Sequence, residues 1–155
     1  MIAISACLMG VPCRYNGTAA NCLGLHLLSA DHPLMVFCPE VMGGLPTPRE
    51  PAEIQNGTGA DVLSGQAFII NSKGADVTQL YLSGSQKVLA VLKSRDVQAV
   101  ILKENSPSCG LYHIHDGEFS GRLIEGSGVL TQLLKNHDIQ VFNENQIDEI
   151  SHLNG

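Results

Sequence analysis

The sequence predicts an α/β fold: a single Rossmann-like domain spanning residues 1–155, with a mainly parallel sheet flanked by helices. Three observations carry this. Short apolar runs alternate with helix-patterned segments, the arrangement from which crossover-connected parallel sheets are built. Runs such as MVF (35–37) and AVIL (99–102) are continuously apolar, as strands covered on both faces are. The chain has 155 residues, 44% of them apolar and 15% charged, which suits one buried core. No linker, repeat or low-complexity tract divides it.

The elements follow in order. Residues 2–6 (IAISA) read as a buried strand that ends at Cys7 and a Gly/Pro-bearing loop. Residues 18–30 follow the Asn16-Gly17 turn and place Leu23, Leu27 and Leu28 at helical spacing, with Thr18 as N-cap. Residues 34–38 (LMVFC) form a second strand. CPEVMGGLPTPREP, with its prolines and glycines, reads as a long loop. AFIINSKG suggests one strand within 52–75. Residues 76–95 are the clearest helix, with Val77, Leu80, Val88, Val91 and Leu92 on one face and Gly84 weakening its middle. Residues 98–103 are a third strand, ENSPSCG a loop, 127–136 a helix, 139–142 a fourth strand and 144–152 a terminal helix.

Composition excludes several function classes. No window holds the ~18 apolar residues of a membrane span. MIAISACLMGVPC has no basic n-region, so it does not read as a signal peptide, and a cytoplasmic location with reduced thiols is expected. Nine Lys plus Arg stand against fifteen Asp plus Glu, a net charge of −6, which argues against a broad nucleic-acid-binding face. With no Trp and 5% aromatics, the sequence predicts no base-stacking platform of the kind that binds a nucleic-acid strand.

The five cysteines are 7, 13, 22, 38 and 109. Their odd number and scatter do not make a disulfide framework, and no CxxC or zinc-finger spacing occurs. The predicted layout is more informative. Cys7 closes the first strand, Cys38 the second, and Cys109 sits in the loop after the third. In an open parallel sheet these strand ends share one edge, where ligands bind. Three thiols distant in sequence therefore meet there. Cys22 reads as core. Cys13 is a fourth ligand, a spare thiol or a bystander. Three thiolates with one vacant position describe either catalytic zinc or an iron–sulfur cluster with one iron free of protein ligands.

Other groups cluster in the same loops. Glu40 is a candidate acid or base, and Ser106 and Ser108 are candidate hydroxyls. Arg14, Tyr15 and Arg49 are candidate substrate contacts, with Asn16, Glu50, Lys103 and Glu104 close by. Singly, each has a plain structural reading, such as a solvated carboxylate, a turn cap or a surface ion pair. His113 and His115 share a strand face but are discounted as metal ligands. Residues 121–128 lead into a helix N-terminus that could take an anion, with Arg122 assisting.

The stretches SACLMGVPCRYNG, FCPEVMGGLPTPREP and LKENSPSCG resemble the three signature loops of the thiouracil desulfidase family, and HDGEFSGRLIEGSGVLTQLL resembles its later segment. The resemblance spans nearly the whole chain. It implies a 4Fe–4S cluster held by Cys7, Cys38 and Cys109, with Cys13 a non-ligand, since that position can be apolar in the family. It implies acid/base roles for Glu40 and for one serine of SPSC, Ser106 being favoured and Ser108 retained. The implied reaction is non-redox removal of sulfur from a thiolated pyrimidine (thiouracil, thiouridine or its monophosphate), giving a carbonyl and hydrogen sulfide. Longer members carry a further C-terminal domain without counterpart here, so a free base or thionucleotide is the expected substrate. Three rivals stand beside it: a zinc hydrolase using the same cysteines, a cluster-bearing sulfur carrier or redox sensor without hydrolytic activity, and a metal-free α/β nucleotide-binding module.

Overall fold

The structure is a computed structural model and describes residues 1–20, 22–97 and 99–150. Strand β1 (Ile2–Ser5) enters a 3-10 turn (Ala6–Met9). Helix α1 (Leu23–His26) and a second 3-10 turn precede β2 (Leu34–Phe37). Then come α2 (Pro39–Met42), β3 (Ala52–Gln55), α3 (Gly59–Leu63), β4 (Phe68–Asn71) and the long α4 (Thr78–Ser94). Strand β5 (Ala99–Leu102), β6 (His113–His115), β7 (Leu123–Glu125), α5 (Val129–Asn136), β8 (Gln140–Asn143) and α6 (Ile147–Ile150) complete the chain.

The main sheet has four strands in the order β2-β1-β5-β8. All three pairings are parallel, with Ile2 opposite both Leu34 and Ala99, and Ala99 opposite Gln140. Successive side chains leave a strand on opposite faces, and the core divides accordingly. Ile2, Ile4 and Ile101 pack on one face with Leu25, Leu28 and Ile150. Ala3, Val100 and Leu102 pack on the other with Val88 and Leu92 of α4 and Leu130 and Leu134 of α5. Burying each such aliphatic side chain stabilises the fold by about 1.5–3 kcal/mol. Two antiparallel pairs, β3–β4 and β6–β7, stand apart from this sheet and share a smaller core around Ile54, Ile69 and Ile114.

The parallel α/β architecture is as predicted, and several elements differ. The helix expected over 18–30 starts only at Leu23. Thr18 is not its N-cap, because its N–H and hydroxyl both donate to Asn16 Oδ1, and the amides of Ala20 and Cys22 donate to the carbonyls of Cys7 and Leu8. The side chains of Leu23 and Leu27 lie outside the described ones. The segment expected as a loop after Cys38 contains α2, which Pro39 opens at its first position, where a missing N–H costs nothing. Strand β3 was not expected, because AEIQ carries two polar residues. β2 is an edge strand with Val36 exposed, not covered on both faces.

The buried face of α4 is also rotated from expectation. It comprises Thr78, Tyr81, Gly84, Ser85, Val88 and Leu92, and Leu80 is 38% exposed. The cause is α2, whose backbone crosses α4 at its small residues. A Cβ on Gly84 would lie 2.0 Å from the Pro39 carbonyl oxygen, and one on Gly43 would lie 2.0 Å from that of Leu80. Gly84 is therefore the contact that seats α2. Gln98, the first residue of the predicted third strand, and residues 151–152 of the predicted terminal helix lie outside the described residues.

Candidate functional site

The carboxyl ends of β1, β2 and β5 open on one cleft of ≈ 380 Å³. Cys7 reaches it from the 3-10 turn after β1, Cys38 from the N-cap of α2, and Cys109 from the loop after β5. Cys13, Arg14, Tyr15, Glu40, Arg49, Lys103 and Ser106 also line it. Cys22 packs against the core beside β1, as predicted.

Glu40, in the first turn of α2, is the polar centre of the site. Its Oε1 accepts from the Ser108 hydroxyl at 2.9 Å. Its Oε2 lies 3.6 Å from Arg49 Nη2 and accepts from the Cys38 thiol at 3.5 Å. Ser108 is fully buried, and its Oγ stands 3.4 Å from Ser106 Oγ and 3.4 Å from Cys109 Sγ. Ser106 lines the cleft and accepts the Cys109 N–H at 2.7 Å. Glu40, Ser108 and Ser106 thus form a chain of exchangeable protons ending at the cleft.

Arg49 forms no surface pair. Its Nη1 donates to the carbonyls of Cys13 and Pro46 and to the Thr47 hydroxyl, so the guanidinium ties the Cys13 loop to Glu40. Arg14 and Tyr15 line the cleft. Glu50 turns away from it toward Lys73 and Ser72 on the exposed side of the β3–β4 pair. Lys103 pairs with Glu144 at 3.1 Å.

The thiols carry an unmet electrostatic demand. Burial, then the neighbouring Cys13 and Glu40, pushes Cys7 up to about 12. Burial and Glu40 push Cys38 to about 12. Cys109 is raised by burial, by Glu40 and by Cys7 and Cys38. Three soft donors from separate segments, each made harder to ionise by burial, by neighbouring thiols and by the Glu40 carboxylate, suit a cationic, thiophilic group that would neutralise them together. Among the described residues, no three His, Cys, Asp or Glu side chains close on a point as a single metal ion requires.

Two expectations near the site are corrected or refined. The N-terminus of α5 is not a free anion site: the amides of Val129, Leu130 and Thr131 are taken by the carbonyls of Pro107 and Ser108. That pairing instead fastens the SPSC loop to α5, and the Thr131 hydroxyl donates to the Cys109 carbonyl. His115 lines the cleft with its Nδ1 buried and unpartnered, whereas His113 is exposed.

Sequence reasoning missed four contributors. In the sequence Glu104 stands only as a neighbour of the candidate residues, yet its carboxylate accepts from the amides of Asn105, Leu111, Tyr112 and His113 and from Asn143 Nδ2. It therefore sets the path of the loop bearing Ser106, Ser108 and Cys109. Tyr81 of α4 lines the cleft, and burial and the Glu40 charge hold its hydroxyl well above the usual range. Glu53 and Phe119 also line the cleft. Glu104 and Phe119 fall within the stretches LKENSPSCG and HDGEFSGRLIEGSGVLTQLL, whereas no motif marks Tyr81 or Glu53.

Comparison with known proteins adds three findings. A sequence profile described as 2-thiouracil desulfurase matches residues 2–146. YbbK of Bacillus subtilis (strain 168), described as uncharacterized, is 50% identical over 150 residues, covering 97% of this chain and 99% of that protein. A solved structure of the [4Fe-4S]-dependent thiouracil desulfidase TudS is 39% identical with a TM-score of 0.85, covering 97% of this chain and 94% of that one.

Proposed function

The chain belongs to the 2-thiouracil desulfurase family, and we propose from that membership that it is an iron–sulfur-dependent, non-redox desulfidase acting on thiolated pyrimidines. The overall change replaces sulfur by oxygen: a thiocarbonyl and water give a carbonyl and hydrogen sulfide, with no net electron transfer. Cys7, Cys38 and Cys109 would hold the 4Fe–4S cluster. When bound, the cluster supplies an iron without a protein ligand, a Lewis acid with affinity for soft thiocarbonyl sulfur. Among the described residues no three such donors gather on one point, which supports a multi-iron group over zinc, whose thiolate ligands sit at about 2.3 Å from one ion.

The remaining steps belong to the protein's own side chains. Glu40 lines the cleft and is the base that takes the proton of the attacking water at its carboxylate. Ser108 holds Oε1 at 2.9 Å and passes a proton on toward Ser106 at the cleft wall. Arg49 keeps Oε2 oriented, and Arg14 and Tyr15 bind the substrate at the cleft lining. The substrate is a free base, a nucleoside or its monophosphate, not a nucleic acid. The cytoplasm, where thiols remain reduced, is the proposed compartment. Among the described residues, no helix is long and apolar enough to cross a membrane.

The observation that carries the reading is the contact between Glu40 and Ser108 within the ring of cysteine-bearing loops. The test is anaerobic reconstitution with iron and sulfide, then measurement of sulfide released from 2-thiouracil and 4-thiouracil. Release that requires the cluster and fails in Cys7→Ala, Cys38→Ala and Cys109→Ala is expected. Full turnover by cluster-free protein would overturn the proposal. A loaded but inactive protein would favour a sulfur carrier or redox sensor.

A further inference from the structure

The turn joining β6 to β7 has no part in the chemistry above, yet it is held in place from several directions. Asp116 Oδ1 accepts the Glu118 N–H at 2.9 Å and its Oδ2 the Ser120 hydroxyl at 2.8 Å, and its own N–H donates to the Arg122 carbonyl. Gly117 lies at φ +90°, and a Cβ there would stand 2.5 Å from the Ile54 carbonyl oxygen, so the turn is pressed onto β3. Glu53, buried on β3, accepts the N–H of Gly117 at 2.9 Å and that of Phe119 at 3.2 Å.

This restraint produces one unusual result. Phe119 sits at φ +54°, a left-handed conformation that a bulky side chain adopts at a cost. Its ring is not stored in a core: it is 38% exposed and lines the cleft. Folding does not account for this, because glycine there would relieve the backbone and remove an apolar ring from water. Strain maintained by surrounding contacts at a cleft points to a ligand. A flat apolar ring offers a π-conjugated ligand a stacking face, and stacking needs no hydrogen-bond readout.

Resting on the desulfidase reading, we infer that Phe119 is the surface on which the substrate's pyrimidine ring stacks. Phe119→Gly separates the ring from the turn, since glycine keeps the left-handed backbone without strain. In holoenzyme reconstituted under anaerobic conditions, this variant raises KM for 2-thiouracil by about tenfold, within the range of base–aromatic stacking, while kcat changes far less. Binding of uracil, followed by calorimetry, weakens by a similar factor. Thermal stability holds or rises, which a structural role for the ring would not give. Phe119→Tyr, which keeps the ring, restores both KM and uracil binding.

KM and uracil affinity within twofold of wild type in Phe119→Gly would overturn the inference, as would an equal loss in Phe119→Tyr. A wild-type holoenzyme that binds uracil through Phe119 but releases no sulfide would leave the stacking surface standing and remove the desulfidase reading. One that neither binds uracil nor turns over 2-thiouracil would overturn both.

Discussion

The Ser108 hydroxyl donates a 2.9 Å hydrogen bond to Glu40 Oε1, linking the loop after β5 to the first turn of α2. The two residues are far apart in sequence and meet only because β1, β2 and β5 end on one edge. Ser106, the serine favoured by resemblance, does not make this contact. Its oxygen instead accepts the Cys109 amide and stands 3.4 Å from Ser108 Oγ.

Ser108→Ala is therefore expected to lower kcat by about 10²–10⁴-fold, the usual weight of general acid–base assistance, with the cluster's visible absorbance retained. Ser106→Ala removes an acceptor from a backbone amide, costing about 1–3 kcal/mol, and lowers kcat less. Sulfide release and absorbance measured on the same anaerobic samples separate the two.

Arg49 gives a stability prediction. Its side chain is 7% exposed and that of Glu40 12%, so the pair is largely dehydrated. Arg49→Ala leaves a buried carboxylate without its cation and frees three acceptors, an expected loss of about 3 kcal/mol or more. Arg49→Lys restores charge but not the planar fork that reaches Cys13, Pro46, Thr47 and Glu40 together, so it recovers only part. Urea unfolding of the metal-free variants checks the order wild type, Lys, Ala.

Gly84 tests how α2 is held. Ala is favoured over Gly in a helix interior by about 1 kcal/mol, which by itself predicts stabilisation. Opposing it, the new Cβ would lie 2.0 Å from the Pro39 carbonyl oxygen and 3.0 Å from the Gly43 nitrogen. Both obstacles are backbone, and overpacking typically costs 1–3 kcal/mol. The clash is expected to win: Gly84→Ala lowers Tm and, by displacing α2 with Cys38 and Glu40, lowers the iron content after reconstitution. A raised Tm with full iron loading would remove this role for Gly84.

These residues also show what could be read without coordinates. The four parallel strands and the meeting of Cys7, Cys38 and Cys109 at one edge follow from apolar runs and what ends them, because strand direction fixes which end a loop leaves. Helix α2 was hidden because Pro and Gly read as breakers, whereas Pro39 opens a helix and Gly43 permits a crossing. The buried face of α4 was misplaced because packing against backbone selects small residues, not apolar ones. Glu53 and Glu104 are illegible in their roles, since a carboxylate spent on main-chain amides looks like a surface charge in a sequence.

Glu104 yields a pH dependence. Burial works against its ionised form, but Asn143 and the amides of Asn105, Leu111 and His113 outweigh that and hold its carboxyl below the usual range. The native state therefore binds fewer protons than the unfolded chain, so stability rises with pH across the interval. The contribution is present above the unfolded value of about 4.3 and is lost as pH falls through the lower native value. Glu104→Gln is expected to cost about 1–3 kcal/mol at pH 7, with the gap to wild type narrowing below about pH 4.3. Urea midpoints from pH 3 to 7 measure this, and a gap independent of pH would count against the assignment.

Cluster loading should be pH-dependent with the opposite partner in control. Burial, with Cys13 and Glu40 alongside, holds Cys7 and Cys38 at about 12, and Cys109 is raised as well. At neutral pH the metal-free site carries protonated thiols, and ligation must expel those protons. Reconstitution is expected to be slow near pH 6.5, faster near 8.5, and accompanied by proton release. Glu40 raises all three thiols, so Glu40→Gln should shift the loading profile toward lower pH while abolishing turnover. Gain in one property and loss in the other, in one variant, cannot come from misfolding. Iron uptake followed by absorbance across pH in wild type and Glu40→Gln decides it, and coincident profiles would show that Glu40 does not govern ionisation of the cysteines.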